Sequence, residues 1–389
     1  MSRFKFRQLH FWSTFFVILM GLLAVALFRR YTMGIGSISN LSDQMPWGLW
    51  IGFDLLCGVA LGAGGFTVTA VVYVFGLEKY KPLARPAVLT AFLGYLIVIA
   101  ALLVDLGRPW NIWHPLVFWN PHSVMFEVGW CVMLYTTVLF LEFLPLVFER
   151  FGRTKWAHWM HRYLTPGLVI AAVLLSTMHQ SSLGTLYVIV PQKLHPLWYS
   201  PILPILFFVS AIVLGLAMTN VESWLSLRGF GHHLPSAQLR GIGRATAVML
   251  MVYLVIRMEE LIVRGAFQYV FRFDKASLFF LAEYVVGGVV PMLLLFQKKV
   301  RRNLLWLSAT QLLVVLGVMF NRMNTAVTAF QLGTGADYRP HWMEFVISMG
   351  MVAIGVFAFS MAVKYLPVFP EGPLGQRARP KDPYVELTQ

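Results

Sequence analysis

Residues 86–111 read PAVLTAFLGYLIVIAALLVDLGRPWN. From Pro86 to Val104 there is no charged side chain. As a helix this run extends roughly 28 Å at about 1.5 Å per residue, enough to cross a hydrocarbon core of about 30 Å. It then ends abruptly on Asp105, Arg108, Pro109 and Trp110: an acid, a base, a helix breaker and an interfacial aromatic. Comparable runs fall near residues 11–28, 49–75, 124–147, 164–180, 201–219, 245–263, 277–297, 303–320 and 342–363. Together they predict an all-α polytopic transmembrane bundle of about ten helices, spread over residues 1–366, with a short polar tail from 367 to 389. Composition agrees, since 58% of the 389 residues are hydrophobic and only 12% are charged, about half the share of a soluble domain.

The first run follows Arg3, Lys5 and Arg7 and ends at Arg29-Arg30 without a small-residue cleavage site, so it is expected to remain as a membrane anchor. The formal charge of +14 would suggest nucleic acid in a soluble protein. Here about two thirds of the Lys and Arg fall in alternate loops on one side of the predicted topology. The basicity is therefore topogenic. It places both termini in the cytoplasm of a bacterial inner-membrane protein and excludes nucleic-acid binding.

Two cysteines, Cys57 and Cys131, lie inside predicted helices, too few for an iron-sulfur cluster held by this chain alone. A membrane b-type haem needs two axial histidines at matching depth. Of the ten histidines His179 alone falls clearly within a span; His10, His114, His122, His158, His161, His195, His232, His233 and His341 lie in predicted loops or at ends. No haem is expected. The second run carries Gly58, Gly62, Gly64 and Gly65, a spacing for close helix packing. The predicted outer loops are short and rich in tryptophan (Trp47, Trp50, Trp110, Trp113, Trp119, Trp198), suited to the interface or to a docked subunit.

Ionisable groups at membrane depth are costly and mark candidate sites. Toward the outer side lie Asp54, Asp105, Arg108, Glu127, His179, Arg257, Glu259, Glu260, Arg322 and Glu344. A polar cavity near one face is the economical explanation. Tyr95 falls near mid-depth, and Glu142, Glu149 and Glu222 toward the other face, an arrangement open to reading as a discontinuous proton path. Simple pairs are the alternative, Arg257 with Glu260 at i,i+3 and Glu260 with Arg264 at i,i+4.

Several blocks carry a resemblance: Gly36-Ser37-Ile38-Ser39, Pro46-Trp47-Gly48-Leu49-Trp50-Ile51-Gly52-Phe53-Asp54, Asp105-Leu106-Gly107-Arg108-Pro109-Trp110-Asn111, Ser123-Val124-Met125-Phe126-Glu127 and Met178-His179-Gln180-Ser181-Ser182. With these the chain resembles the NrfD/PsrC-like family of membrane subunits from about Gly34 to Leu366, and most closely the HybB-type membrane subunit of uptake nickel-iron hydrogenases. The resemblance implies two four-helix bundles plus flanking helices. It also implies a haem-free subunit that exchanges electrons between a periplasmic four-cluster iron-sulfur partner and menaquinone or ubiquinone, with proton translocation. It puts Tyr95, Glu127 and His179 at the quinone and the proton route; joined to the reading of the buried polar residues, Asp54, Asp105 and Arg108 are expected beside the quinone and Glu142 and Glu222 farther along the path. The alternative within the same class is a membrane subunit of another quinone oxidoreductase, such as alternative complex III or a cytochrome-linked complex, which use relatives of this subunit. A proton-coupled transporter or a passive anchor for a periplasmic enzyme are the competing classes from the residues alone.

Overall fold

Each predicted run is a helix in the computed structural model, which describes residues 2–231 and 236–369, the first ten of them by backbone alone. The helices are α1 (Ser2–Met33), α2 (Trp50–Val74), α3 (Glu78–Asp105), α4 (Val124–Arg150), α5 (Thr154–Val188), α6 (Leu203–Phe230), α7 (Ser236–Val263), α8 (Lys275–Phe296), α9 (Leu304–Thr334) and α10 (Trp342–Tyr365). Among the described residues, nine are long and apolar enough to cross a membrane. The seventh, α7, has the length but carries Arg240, Arg244, Arg257, Glu259 and Glu260. His232 and His233, and the tail from residue 370, lie outside the described residues.

Side-chain caps set several helix starts. Ser123 accepts from Phe126 N, Asp274 from Ser277 N and Asn303 from Trp306 N, while His341 and Glu344 form a reciprocal capping box. Three helices run well past the hydropathy signal: α5 continues beyond residue 180, α6 beyond 219 and α9 beyond 320. The hydroxyls of these polar stretches are satisfied without water by bonding back to the preceding turn: Ser181 to Thr177 O, Ser182 to Met178 O, Thr185 to Ser181 O and Thr325 to Asn321 O. The fall in hydropathy there reflects residues facing the bundle rather than an exit to water.

Helices α2, α3, α4 and α5 pack in a ring, as do α6, α7, α8 and α9, while α1 and α10 pair with each other against α3. The two rings meet where α6 lies on α2 and α5. Small residues make that seam possible: a Cβ on Gly215 would stand 2.7 Å from the backbone of Ala63 and Gly64. A Cβ on Gly62 would stand 3.2 Å from the Tyr95 ring, so the glycine spacing in α2 seats both a helix and a side chain. Loops at one face carry exposed Trp110, Trp113, Phe118 and Trp119; the opposite face carries Lys79, Lys81, Arg150, Arg153, Lys155, Lys298 and Lys299. These are called the aromatic and the basic face below.

Candidate functional site

The residues expected at one polar site fall into separate groups. The deepest is in the first ring. Tyr95 on α3, Tyr135 on α4 and His179 on α5 are wholly buried. The Tyr95 hydroxyl and His179 Nδ1 share a hydrogen bond of 2.9 Å, and the Tyr95 and Tyr135 rings meet edge to face at 4.7 Å. His179 sits nine residues before the end of α5, deeper than its place at the end of the predicted fifth run implied. Its Nε2 has no partner, and neither have the Tyr135 hydroxyl and the Ser176 hydroxyl toward which Tyr135 turns.

One turn nearer the aromatic face, Ser182 Oγ lies 2.6 Å from Glu127 Oε1 and 2.7 Å from Met178 O. A hydroxyl has one proton to give and two lone pairs to receive with. Ser182 can therefore donate to an ionised Glu127, or accept from a protonated Glu127 while donating to Met178 O. Glu127 is half-buried, and its neighbours Met125 on α4 and Met178 on α5 are exposed on the outside of the bundle. The contact between α4 and α5 thus brings an acid, bonded to a hydroxyl, within about one helical turn of a buried histidine.

Glu127, Tyr135 and Glu142 share one face of α4, eight and seven residues apart. Glu142 lines a cavity of about 370 Å³ that opens at the basic face between Lys81, Arg85, His158 and His161. One Glu142 oxygen, Oε1, is buried without a partner. Glu222, on α6, is buried and turned toward Thr90 of α3, again with an unpartnered oxygen. Glu149 does not join this line: it makes a two-pronged ion pair with Arg85, at 2.9 and 3.0 Å, and lies 3.5 Å from His161.

Other expected residues lie apart. Asp54, on α2, accepts from Ser348 of α10 at 2.7 Å and faces Asp105. Eight residues separate Asp54 from Gly62, the glycine beside Tyr95, which is about 12 Å along the helix. Asp105 lies beside Arg30, whose guanidinium caps the end of α3 through Val104 O and Leu106 O. Glu344 is held by Tyr338 and by the backbone amides of Asn40 and His341. Arg108 is exposed in the loop after α3. These groups tie α1, α2, α3 and α10 together at the aromatic face.

A third group, in the second ring, joins Arg257 and Glu260 to a residue that sequence reasoning missed. Glu283 of α8 is buried, with Trp198 Nε1 at 3.1 Å from each oxygen, Asn321 Nδ2 at 3.0 Å and Asn324 Nδ2 at 2.6 Å. A lone acid six residues inside an apolar run was the available signal. Wide helical turns at Ala282–Val289 and Asn324–Thr328 aim these side chains inward.

Known proteins resemble this chain over most of its length. A family model described as polysulphide reductase, NrfD matches residues 37–331, a stretch that holds Asp54, Tyr95, Glu127, His179 and Glu283. A protein of Nitratidesulfovibrio vulgaris is 41% identical over 368 residues, 92% of this chain and 93% of that one. An Escherichia coli protein described as "Probable Ni/Fe-hydrogenase 2 b-type cytochrome subunit" is 35% identical over 350 residues, 88% of each chain. A second N. vulgaris protein, described as "Menaquinone reductase, integral membrane subunit", is 29% identical over 388 residues, 92% of each.

Proposed function

This chain belongs to the polysulphide reductase NrfD family, and from that premise we propose that it is the quinone-reactive, haem-free membrane subunit of a hydrogenase-type complex. It lies in a bacterial inner membrane with both termini cytoplasmic, so the aromatic face is periplasmic. It passes electrons between a docked iron-sulfur partner and menaquinone or ubiquinone. The observation that carries the reading is the buried Tyr95–His179 pair, with Nε2 unpartnered, one helical turn from Ser182 and half-buried Glu127.

Interconversion of quinone and quinol moves two electrons and two protons, so each quinone oxygen must gain or lose one proton per electron pair. Nε2 of His179 is free to bond such an oxygen, and Tyr95 holds the imidazole through Nδ1. Glu127 exchanges the proton, with Ser182 changing its bond direction to match. Orphaned polar atoms of Tyr135, Ser176, Thr90, Glu222 and Glu142 continue inward to the cavity at the basic face, and they support a water-filled proton path to the cytoplasm. Electron transfer would then move charge across the membrane.

The residues do not suit a haem. Bis-histidine ligation needs two facing imidazoles. Among the described residues His179 is the one buried histidine, and Nδ1 is engaged by Tyr95. This supports the reading that the partner holds the electron carrier.

Glu127→Gln tests the proposal. In membranes carrying the assembled complex it is expected to abolish quinone reduction or uncouple it from proton movement. Unchanged electron transfer with unchanged proton movement would remove Glu127 from the mechanism.

A further inference from the structure

The cavity of about 370 Å³ at the basic face is the mouth of the first ring, walled by the ends of α2, α3, α4 and α5. From α5 it takes His158, His161, Thr165 and Val169, spaced by three, four and four residues as one face of a helix requires. Both histidines are exposed and Val169 is buried, so this stripe descends from the surface into the ring. To the same space α4 supplies Glu142, whose Oε1 has no partner. The other ionisable groups of the wall are Tyr73 of α2 and Lys81 and Arg85 of α3, and Arg85 is held by both oxygens of Glu149.

Near neutrality a lysine, an arginine or a tyrosine keeps its proton, and histidine is the side chain that gains and loses one. His158 is set up to do so. Its Nδ1 lies 2.9 Å from Thr154 O, and because a carbonyl can only accept, Nδ1 carries the hydrogen and the neutral ring presents Nε2 as a base. Protonation at Nε2 leaves the Thr154 bond in place, so the ring takes and gives a proton without turning. His161 has Nε2 3.5 Å from Glu149 Oε1, too long for a firm hydrogen bond and on a carboxylate already engaged by Arg85. The cavity has room for several waters between these rings and Glu142. We propose that His158 and His161 collect protons from the aqueous phase at the basic face and pass them through that water to Glu142. Each proton arrives at an imidazole nitrogen and leaves it again, so the histidines end as they began. The inference rests on the proton path proposed above and assigns its entrance.

The test uses the complete complex in weakly buffered proteoliposomes, with a pH-sensitive dye on the side of the basic face. With His158→Gln and His161→Gln combined, protons taken up there per electron are expected to fall about twofold or more at about pH 8, and less at about pH 6, where free protons are roughly a hundredfold more abundant. Imidazole, a mobile carrier of the same chemistry, is expected to restore the ratio, which also shows that the variant has folded. A ratio equal to wild type at both pH values overturns the proposal, and so does a fall that imidazole does not repair. Absence of uptake at the basic face in the wild type would overturn the path itself and this entrance with it.

Discussion

Tyr95→Phe removes one oxygen from a wholly buried ring and leaves His179 Nδ1 with nothing to bond. An orphaned buried polar group of this kind costs about 1–3 kcal/mol. If that energy is felt where the imidazole takes part in proton exchange, turnover falls about 5- to 150-fold, at about 1.4 kcal/mol per factor of ten. Because Tyr95 acts through His179, the loss is expected in kcat, with KM for the quinone altered far less. The assay is steady-state reduction of a soluble menaquinone analogue by the complete complex, with kcat and KM taken across pH. Phe preserves the edge-to-face contact with Tyr135, so folding is retained. A variant that keeps wild-type kcat and an unshifted pH profile would show that Tyr95 merely fills space.

Four further outcomes are expected. Ser182→Ala, which leaves Glu127 Oε1 without its 2.6 Å partner, should shift the pH profile of quinone turnover, read by the same assay. Glu142→Gln should leave electron transfer in detergent near wild type and lower the proton-to-electron ratio in proteoliposomes, since Glu142 lines the cavity at the basic face but is far from the histidine. Gly215→Val forces side-chain atoms into the α2 backbone at 2.7 Å and should abolish assembly, as followed by size-exclusion chromatography of the solubilised complex. Burial holds His195 below its ordinary 6.5, against the raising effect of Asp274, and its neutral Nδ1 accepts from Leu197 N at 3.3 Å. The unfolded loop therefore binds the proton more readily, and protection of residues 189–202 in hydrogen exchange should decline as pH falls below about 6.5, a decline that His195→Asn removes.

Hydropathy made the number and order of helices legible, because a lipid solvent demands long uninterrupted apolar runs. It misjudged where α5, α6 and α9 end, because Ser181 and Thr325 bond back within their own helices and Ser182 and Asn321 bond acids of neighbouring helices, none of them marking an exit to water. The same error placed His179 and Arg322 at helix ends when they are buried within them. Pairing within one helix was readable from spacing, as with Arg257 and Glu260. Pairing across helices was not: nothing in the order of residues joins Asp54 to Ser348, Glu127 to Ser182 or Glu283 to Trp198. The outer acids consequently read as one cavity, whereas the packing divides them among the first ring, the second ring and the α1/α2/α3/α10 corner.

Photo-crosslinking with an azidoquinone in the intact complex probes the quinone site directly. Label is expected on peptides of α4 and α5 around Glu127, Met178 and His179, and displaced by excess menaquinone analogue. Displaceable label confined to the second ring, with α4 and α5 untouched, would contradict the assignment.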